Sequence, residues 1–254
     1  METLKQKLNA RKTVLGTMLS EVANPNMARI MKAAGFELII VDCEHGYFDF
    51  SQLAAIASLG NGFGLPVLVR IPEIRREWIT KALDMSCDGL LVPMVNTAQQ
   101  ALEVIRYAKY QPLGERGIST TRAHTNYNPP PLGEYMRQAN ERTCILVQLE
   151  TAEAIANVRE IAAVDGVDAL MIGPNDLASD LGSPGKLDTD EMFQAIETVA
   201  AAAQEVGKSC GIISSGVSYL QRCKGMGMNL FSCNSEVGLL MKAARNCVKE
   251  FHSC

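Results

Sequence analysis

The chain has 254 residues, 47% hydrophobic and 20% charged, with a formal net charge of −4. That is ample material for a globular core, and the slight acidity argues against nucleic acid and anionic membrane as partners, which want a basic face. No apolar run approaches the roughly 18 residues of a membrane helix. The opening Met1-Glu2-Thr3-Leu4-Lys5 lacks the apolar stretch of a signal peptide, so a cytoplasmic protein is expected.

A short polar helix at about 2–11 leads into the first strand, 14–19. Asn24-Pro25 opens a helix, with Asn as cap and Pro at the first helical position. Met27, Ile30, Met31 and Ala34 form its apolar face. The second strand, 37–42, carries the run Leu38-Ile39-Ile40-Val41 and ends on Asp42. Asp49 and Gln52 have the spacing of a capping box for a helix over 52–59. Gly60-Asn61-Gly62-Phe63-Gly64 follows a helix and precedes a strand, the reverse of a nucleotide loop, and reads as a helix stop and turn. The third strand, 66–70, ends on Arg70; a helix covers about 75–85. The fourth strand is 89–93, and Thr97 and Gln100 cap a helix ending near Lys109.

Residues 110–141 break the rhythm. A connection this long is functional or holds its own short helix, for which 132–140 is suited. It reads as a lid-like insertion. The fifth strand, 144–150, precedes a helix to about 162. The sixth, 169–173, runs into a turn, Pro174-Asn175-Asp176-Leu177. Asp188 and Glu191 cap a helix over 190–206, apolar at 192, 196, 199, 203 and 206. Strands seven and eight are 210–214 and 229–233. The last helix, 236–251, puts Val237, Leu240, Met241, Ala244, Val248 and Phe251 on one side. Eight continuously apolar strands alternating with helices imply a parallel sheet covered on both faces. The expected fold is α/β, a single (β/α)8 TIM barrel over 1–254, with an open doubly wound sheet as its rival.

The eight cysteines include no CxxC pair, and several lie in apolar elements. They read as free buried thiols in a reducing compartment. Cys43 stands near His45, but neighbouring strand residues point to opposite faces, which weighs against a Cys-His nucleophile.

TIM-barrel sites lie at the C-terminal ends of the strands. There the sequence puts Asp42 and His45, Arg70, Gln148 and Glu150, Gly173 and Asp176, Ser214, and Asn234, Ser235 and Glu236. Glu150 and Asp176, on neighbouring strands, suit Mg²⁺ or Mn²⁺ completed by water and substrate. Their plainer reading is an acid at a helix start and a turn cap. Arg70 is either a rim ion-pair partner or a fixed cation beside an oxyanion. His45 is either a capped loop residue or a general acid/base. Asp84, in the helix after the third strand, could orient His45, a link that spacing does not establish. None of the eleven lysines falls inside a barrel strand. No strand therefore offers the desolvated lysine of a Schiff-base enzyme, which favours metal-dependent stabilisation of a carbanion or enolate.

Several motifs occur together: Val41-Asp42-Cys43-Glu44-His45, Val69-Arg70-Ile71-Pro72, Leu91-Val92-Pro93-Met94-Val95, Arg116-Gly117-Ile118, Val147-Gln148-Leu149-Glu150-Thr151 and Ile172-Gly173-Pro174-Asn175-Asp176-Leu177. In this order and spacing the chain resembles the HpcH/HpaI aldolases from about residue 12 to the last helix. The resemblance implies a barrel of the phosphoenolpyruvate/pyruvate-domain type. It implies a class II pyruvate aldolase, an aldehyde-lyase that reversibly cleaves a 4-hydroxy-2-oxo acid to pyruvate and an aldehyde in carbohydrate or aromatic catabolism. By the same resemblance Glu150 and Asp176 hold a divalent metal (Mg²⁺, Mn²⁺ or Co²⁺), with no organic cofactor. Arg70 sits against the keto/enolate oxygen. His45 is the acid/base with Asp84 as partner. Asp42 holds metal-bound water or orients the site. Gln148, Gly173, Pro174 and Asn175 hold the pyruvyl group.

The stretch Ser119–Thr125, with Arg122 and His124 after Arg116, and the stretch Ser214-Ser215-Gly216 fall where the family varies. They are expected to contact the aldehyde half, Ser214 as a substrate-binding residue, and leave the aldehyde's identity open. The implied partners are a small-molecule 2-oxo acid, an aldehyde and further copies of the chain. A hexamer is favoured, with the C-terminal helix exchanged between subunits; the apolar face of 236–251 is equally compatible with packing on its own barrel. A lyase acting on an acyl-CoA thioester, a metal-dependent hydrolase and a non-enzymatic binding role are the other readings. The first would want a basic, adenine-accepting surface beside the rim.

Overall fold

Strands with no polar face must be covered on both sides, and a parallel sheet achieves this by closing on itself inside a ring of helices. The computed structural model describes residues 2–253 and shows that closure. Its strands are β1 Val14–Leu19, β2 Leu38–Asp42, β3 Val67–Arg70, β4 Gly89–Val92, β5 Cys144–Leu149, β6 Ala169–Ile172, β7 Ser209–Ser214 and β8 Leu230–Ser235. They pair in sequence order, and β1 closes on β8 with Val14 opposite Leu230. The early helices are α1 Leu4–Asn9, α2 Asn26–Ala33, α3 Phe50–Gly62, α4 Arg76–Asp84 and α5 Ala98–Ala108. Then come α6 Leu132–Arg142, α7 Ala152–Ala156, α8 Val158–Ala162, α9 Pro174–Asp180, α10 Asp190–Glu205, α11 Val217–Gly225 and α12 Glu236–Ser253. No helix among the described residues is long and apolar enough to cross a membrane.

Side chains alternate along each strand, and the alternation decides what reaches the mouth. Val14, Leu38, Ile40, Leu68, Leu91, Leu146, Met171 and Leu230 fill the barrel interior with Leu4 and Leu8 of α1. The opposite parity, including Ile39, Val41, Val67, Val69, Ile145 and Val147, packs outward on the helices. Counting in twos from Ile40, Leu68 and Leu146 brings Asp42, Arg70 and Gln148 to the inner face at the C-terminal end; β8 is bulged after Ser232, so that Ser235 stands opposite Met18. Asp42 stands directly opposite Arg70 in the β2–β3 register.

Several local expectations are corrected. Asn24 does cap α2, accepting from the Asn26 N–H at 2.9 Å, but Pro25 precedes the first helical residue. Ala28 and Met31 are the buried face of that helix, while Ile30 is exposed. The helix after β5 breaks at Asn157 into α7 and α8. Pro174–Leu177 is not a free turn but the start of α9, with Pro in the first helical turn. Thr189, not Asp188, caps α10 by accepting from Met192 N–H, and Val206 lies beyond its end, exposed. The capping boxes of Asp49/Gln52 and Thr97/Gln100 form as read.

The larger correction concerns 110–141. α5 carries the chain from the mouth back to the N-terminal end, so whatever follows lies at that end. The segment holds a short 3-10 turn, Ala123–Thr125, and α6. It packs against the C-terminal end of α4, where Arg116 donates to Asp84 at 2.6 Å. Within one chain it does not cover the mouth. Lys109 is buried at the same end, donating to the Asn140 and Thr143 carbonyls at 3.0 and 2.6 Å. Burial brings its ammonium down to about 7. Lys109 is thus desolvated but committed to backbone carbonyls, at the end of the barrel opposite the strand termini.

Candidate active site

Arg70 is fixed by two acids from the β2 end. Its Nε and Nη2 donate to Asp42 Oδ1 and Oδ2 at 2.9 and 2.6 Å, and Nη1 lies 3.2 Å from Glu44 Oε2. Asp42 Oδ1 also accepts from the backbone N–H groups of Glu44 and His45. Burial by itself would raise the Asp42 carboxyl, but the Arg70 bond and charge and these amides hold it below the ordinary range. Burial would likewise depress Arg70, and Asp42 and Glu44 keep it raised. Two of the five guanidinium N–H groups bond Asp42, and Glu44 holds Nη1 by charge without a hydrogen bond, so the other three N–H groups are not committed to a protein acceptor among the described residues. Both Asp42 oxygens are thus bonded to Arg70, and Oδ1 also to the loop amides.

Across the mouth, Glu150 is buried just beyond β5. Its Oε1 accepts from Met94 N–H at 2.7 Å, and its Oε2 accepts from Gln148 Nε2. Met94 adopts a left-handed backbone, φ 54°, which aims its amide at that carboxylate. A Cβ added at Gly173 would collide with Glu150 and Gln148, so only glycine leaves this cradle open. Burial raises the Glu150 carboxyl above its ordinary range, and the negative charge of Asp176 adds to this against the bonds from Gln148 and Met94. Gln148 Oε1 and Glu44 Oε2 are buried without a hydrogen-bond partner.

A cavity of about 270 Å³ opens between these groups. Arg70, Gln148, Gly173, Pro174, Asn175, Asp176 and Ser214 all line it, with Met18, Leu187, Ile213, Ser215, Asn234 and Ser235. His45 lies on the rim loop after β2 with its side chain 68% exposed, Nε2 3.9 Å from Glu44 Oε2. Asp84 is elsewhere. It ends α4 at the opposite end of the barrel, paired with Arg116, and its carbonyl meets His124 Nδ1 at 3.1 Å. Among the described residues no hydrogen bond or ion pair joins Asp84 to His45 in one chain. Arg122 is exposed at that same end and donates to Ser119 Oγ. Glu236 does not face the cavity: its buried carboxylate accepts from the backbone N–H groups of Ser20, Glu21 and Val22. Burial, with the Asp42 charge, pushes the Cys43 thiol up to about 12, which leaves no thiolate for nucleophilic chemistry at neutral pH.

Sequence reasoning missed Glu44 and Met94 as parts of the site. Glu44 was visible inside the motif that carries Asp42 and His45. Met94 acts through its backbone N–H, and no side-chain pattern announces that.

The donor set suits a divalent cation. Asp176 and Gln148, whose buried amide oxygen is unpartnered, line the cavity, Glu150 lies behind them bonded to Gln148, and a cation near these groups would relieve the penalty on Glu150. No group of three or more His, Cys, Asp or Glu that could hold a metal occurs among the described residues, so any such site is an open one, completed by water and ligand.

The family model described as HpcH/HpaI aldolase/citrate lyase matches residues 16–243. A hydroxypyruvate/pyruvate aldolase of Pseudomonas aeruginosa is 34% identical, over 97% of this chain and 91% of its own. A 4-hydroxy-2-oxo-heptane-1,7-dioate aldolase of Shigella boydii is 32% identical, over 98% and 94%. The crystal structure of an HpcH/HpaI aldolase from Desulfitobacterium hafniense superposes with a TM-score of 0.95 at 33% identity, covering 100% of this chain and 98% of that one.

Proposed function

The chain belongs to the HpcH/HpaI aldolase/citrate lyase family, and from that premise we propose that it is a pyruvate aldolase whose chemistry occurs at the mouth cavity. The reaction is reversible cleavage of a 4-hydroxy-2-oxo acid to pyruvate and an aldehyde. The observation that carries the reading is one cavity lined by the Arg70 fork, which Asp42 and Glu44 hold, and by Gln148 and Asp176, with buried Glu150 bonded to Gln148 behind its wall.

Glu150 and Asp176 would hold the divalent ion, Mg²⁺, Mn²⁺ or Co²⁺. When bound there, the ion supplies Lewis-acid polarisation of the 2-oxo group, worth several kcal/mol. Gln148 and the Gly173–Asn175 backbone seat the pyruvyl end. His45, on the exposed rim, takes the proton of the C4 hydroxyl directly or through water. The C3–C4 bond then breaks, its electron pair moves toward the 2-oxo oxygen, and the aldehyde departs. The free N–H groups of Arg70 face the developing enolate oxygen. Proton return to C3 yields pyruvate.

Among the described residues the His45 ring meets only Glu44, at 3.9 Å, and Asp84 stands at the far end of the barrel. The pairing of the two, and a covering role for 110–141, require a neighbouring chain whose N-terminal end meets this mouth. That supports a homo-oligomer, with the hexamer favoured. The uncovered apolar side of α12 supports it further: Leu240, Val248 and Phe251 are 64%, 59% and 79% exposed. Seven described cysteines are free thiols, which supports a cytoplasmic setting.

A lactate-dehydrogenase-coupled assay over a panel of 4-hydroxy-2-oxo acids tests the reading, with each metal and with EDTA. Pyruvate is expected only with metal, and not from Glu150→Ala. Metal-loaded, folded protein that releases no pyruvate from any panel member would sink it.

A further inference from the structure

The cavity extends past the pyruvyl end toward β7, β8 and β1, and that wall is of one chemical kind. Met18, Leu187 and Ile213 supply apolar surface; Ser214, Ser215, Asn234 and Ser235 supply hydroxyls and an amide. Arg70 is the only cationic side chain on the cavity wall among the described residues, and its fork is held by Asp42 and Glu44.

Asn234 is built into this wall rather than lying on it. Its backbone is left-handed, φ 63°, an uncommon conformation for a residue with a Cβ. The buried hydroxyl of Thr17 donates to its carbonyl at 3.2 Å. Its Oδ1 accepts from Ser235 N–H at 2.9 Å, which fixes which end of the amide is oxygen. A Cβ at Gly238, in the first turn of α12, would overlap the same amide, so that glycine makes the room for it. The Asn234 NH2 group has no protein acceptor among the described residues, and Asn234 is one of the residues that line the cavity. Ser214 Oγ accepts from Gly216 N–H at 3.3 Å, which leaves its own hydrogen free to donate.

We propose that Asn234, with Ser214, determines specificity for the aldehyde half and selects an uncharged, hydroxyl-bearing aldehyde. This rests on the reading of the cavity as a pyruvate aldolase site. The amide NH2 and the serine hydroxyl donate to the aldehyde's hydroxyl oxygen while Met18, Leu187 and Ile213 border its carbon chain. An aldehyde ending in a carboxylate, as cleavage of a heptane-1,7-dioate would release, finds no second cation on this chain's wall.

The test runs aldol addition with pyruvate and the best metal, taking kcat/KM for glycolaldehyde and glyceraldehyde against acetaldehyde, propionaldehyde and succinic semialdehyde. Wild-type enzyme is expected to prefer glycolaldehyde over acetaldehyde. In Asn234→Gly, which keeps the left-handed backbone free of strain, the ratio should fall about tenfold, the worth of one good hydrogen bond. Comparing the ratio between enzymes cancels the aldehydes' intrinsic reactivities. Ser214→Ala, a milder change, should lower the same ratio in the same direction. An unchanged ratio in both variants, or succinic semialdehyde as the best acceptor, overturns the proposal. Wild-type exchange of the pyruvate methyl protons into D2O separates the two levels. Exchange without hydroxyl preference removes only the role of Asn234 and Ser214; no exchange removes the aldolase reading and this inference with it.

Discussion

Arg70 shows how much of a catalytic position is fixed before any ligand arrives. Two acids hold its fork, and because the pair is buried, removing either partner leaves the other charge desolvated and unpaired. Arg70→Ala should lower turnover on the order of 10²-fold or more in the pyruvate-release assay, by analogy with loss of an oxyanion donor. Arg70→Lys should rescue little, because one ammonium cannot keep the Asp42 fork and face a ligand oxygen together; near-wild-type turnover in either variant would remove Arg70 from the chemistry. Asp42 makes a separate prediction about stability. Its folded carboxyl titrates below 3.8, so as pH falls the unfolded chain takes up the proton first. The pair's contribution is whole above about pH 5 and is lost as pH drops below the ordinary aspartate value through the folded one. Urea midpoints of wild type and Asp42→Asn should therefore converge between pH 5 and 3; a constant gap would show that Asp42 is not held as described. Residues of this kind were legible in the sequence, because strand parity brings Asp42, Arg70 and Gln148 inward once the strand ends are known. Met94 was not legible, since its contribution is a backbone N–H in a left-handed conformation that its side chain does nothing to advertise.

The elements followed from apolar runs and caps wherever one physical signal dominated. All eight strands lie where the apolar runs put them, because a strand buried on both faces has no polar residue to blur its ends. Errors arose where two signals compete. Asp188 and Thr189 both make good caps, and the backbone chose the second. Pro174-Asn175 starts turns and helices alike, and here it starts α9, which brings Asp176 to the cavity. The anchoring of α12 was hidden for a different reason: Glu236 looks like one more rim acid, yet its carboxylate gathers three backbone N–H groups and the Ser20 hydroxyl from the β1–α2 loop. That knot ties the helix start to the loop beside Met18. Glu236→Gln keeps the shape but removes the charge and puts an NH2 donor where Oε2 accepts from Ser20, at a cost of about 1.5–3 kcal/mol. The melting temperature should fall by about 5–10 °C in calorimetry. An unchanged melting temperature would mean that packing alone holds α12.

At the scale of the whole molecule, one chain leaves its proposed chemistry unfinished at both ends. The mouth carries an exposed His45, and the opposite end carries Asp84 with Arg116 and His124 under the 110–141 segment. Sequence spacing could not separate these ends, because the position of a long connection depends on which way the preceding helix runs. If the proposed oligomer joins the two ends, each site takes His45 from one subunit and Asp84 from another. His45→Ala and Asp84→Ala should each be poorly active alone. Mixed after mild dissociation and reassembly, they should recover about a quarter of the wild-type rate, since random pairing in a symmetric assembly leaves one interface in four with both native residues. Light scattering on Leu240→Glu with Phe251→Glu supplies the companion measurement, because charges on the uncovered side of α12 should reduce the assembled mass. Recovery on mixing would assign Asp84 to the neighbour's site. No recovery, in mixtures shown by mass to have exchanged subunits, would confine Asp84 to holding Arg116 and the inserted segment within its own chain.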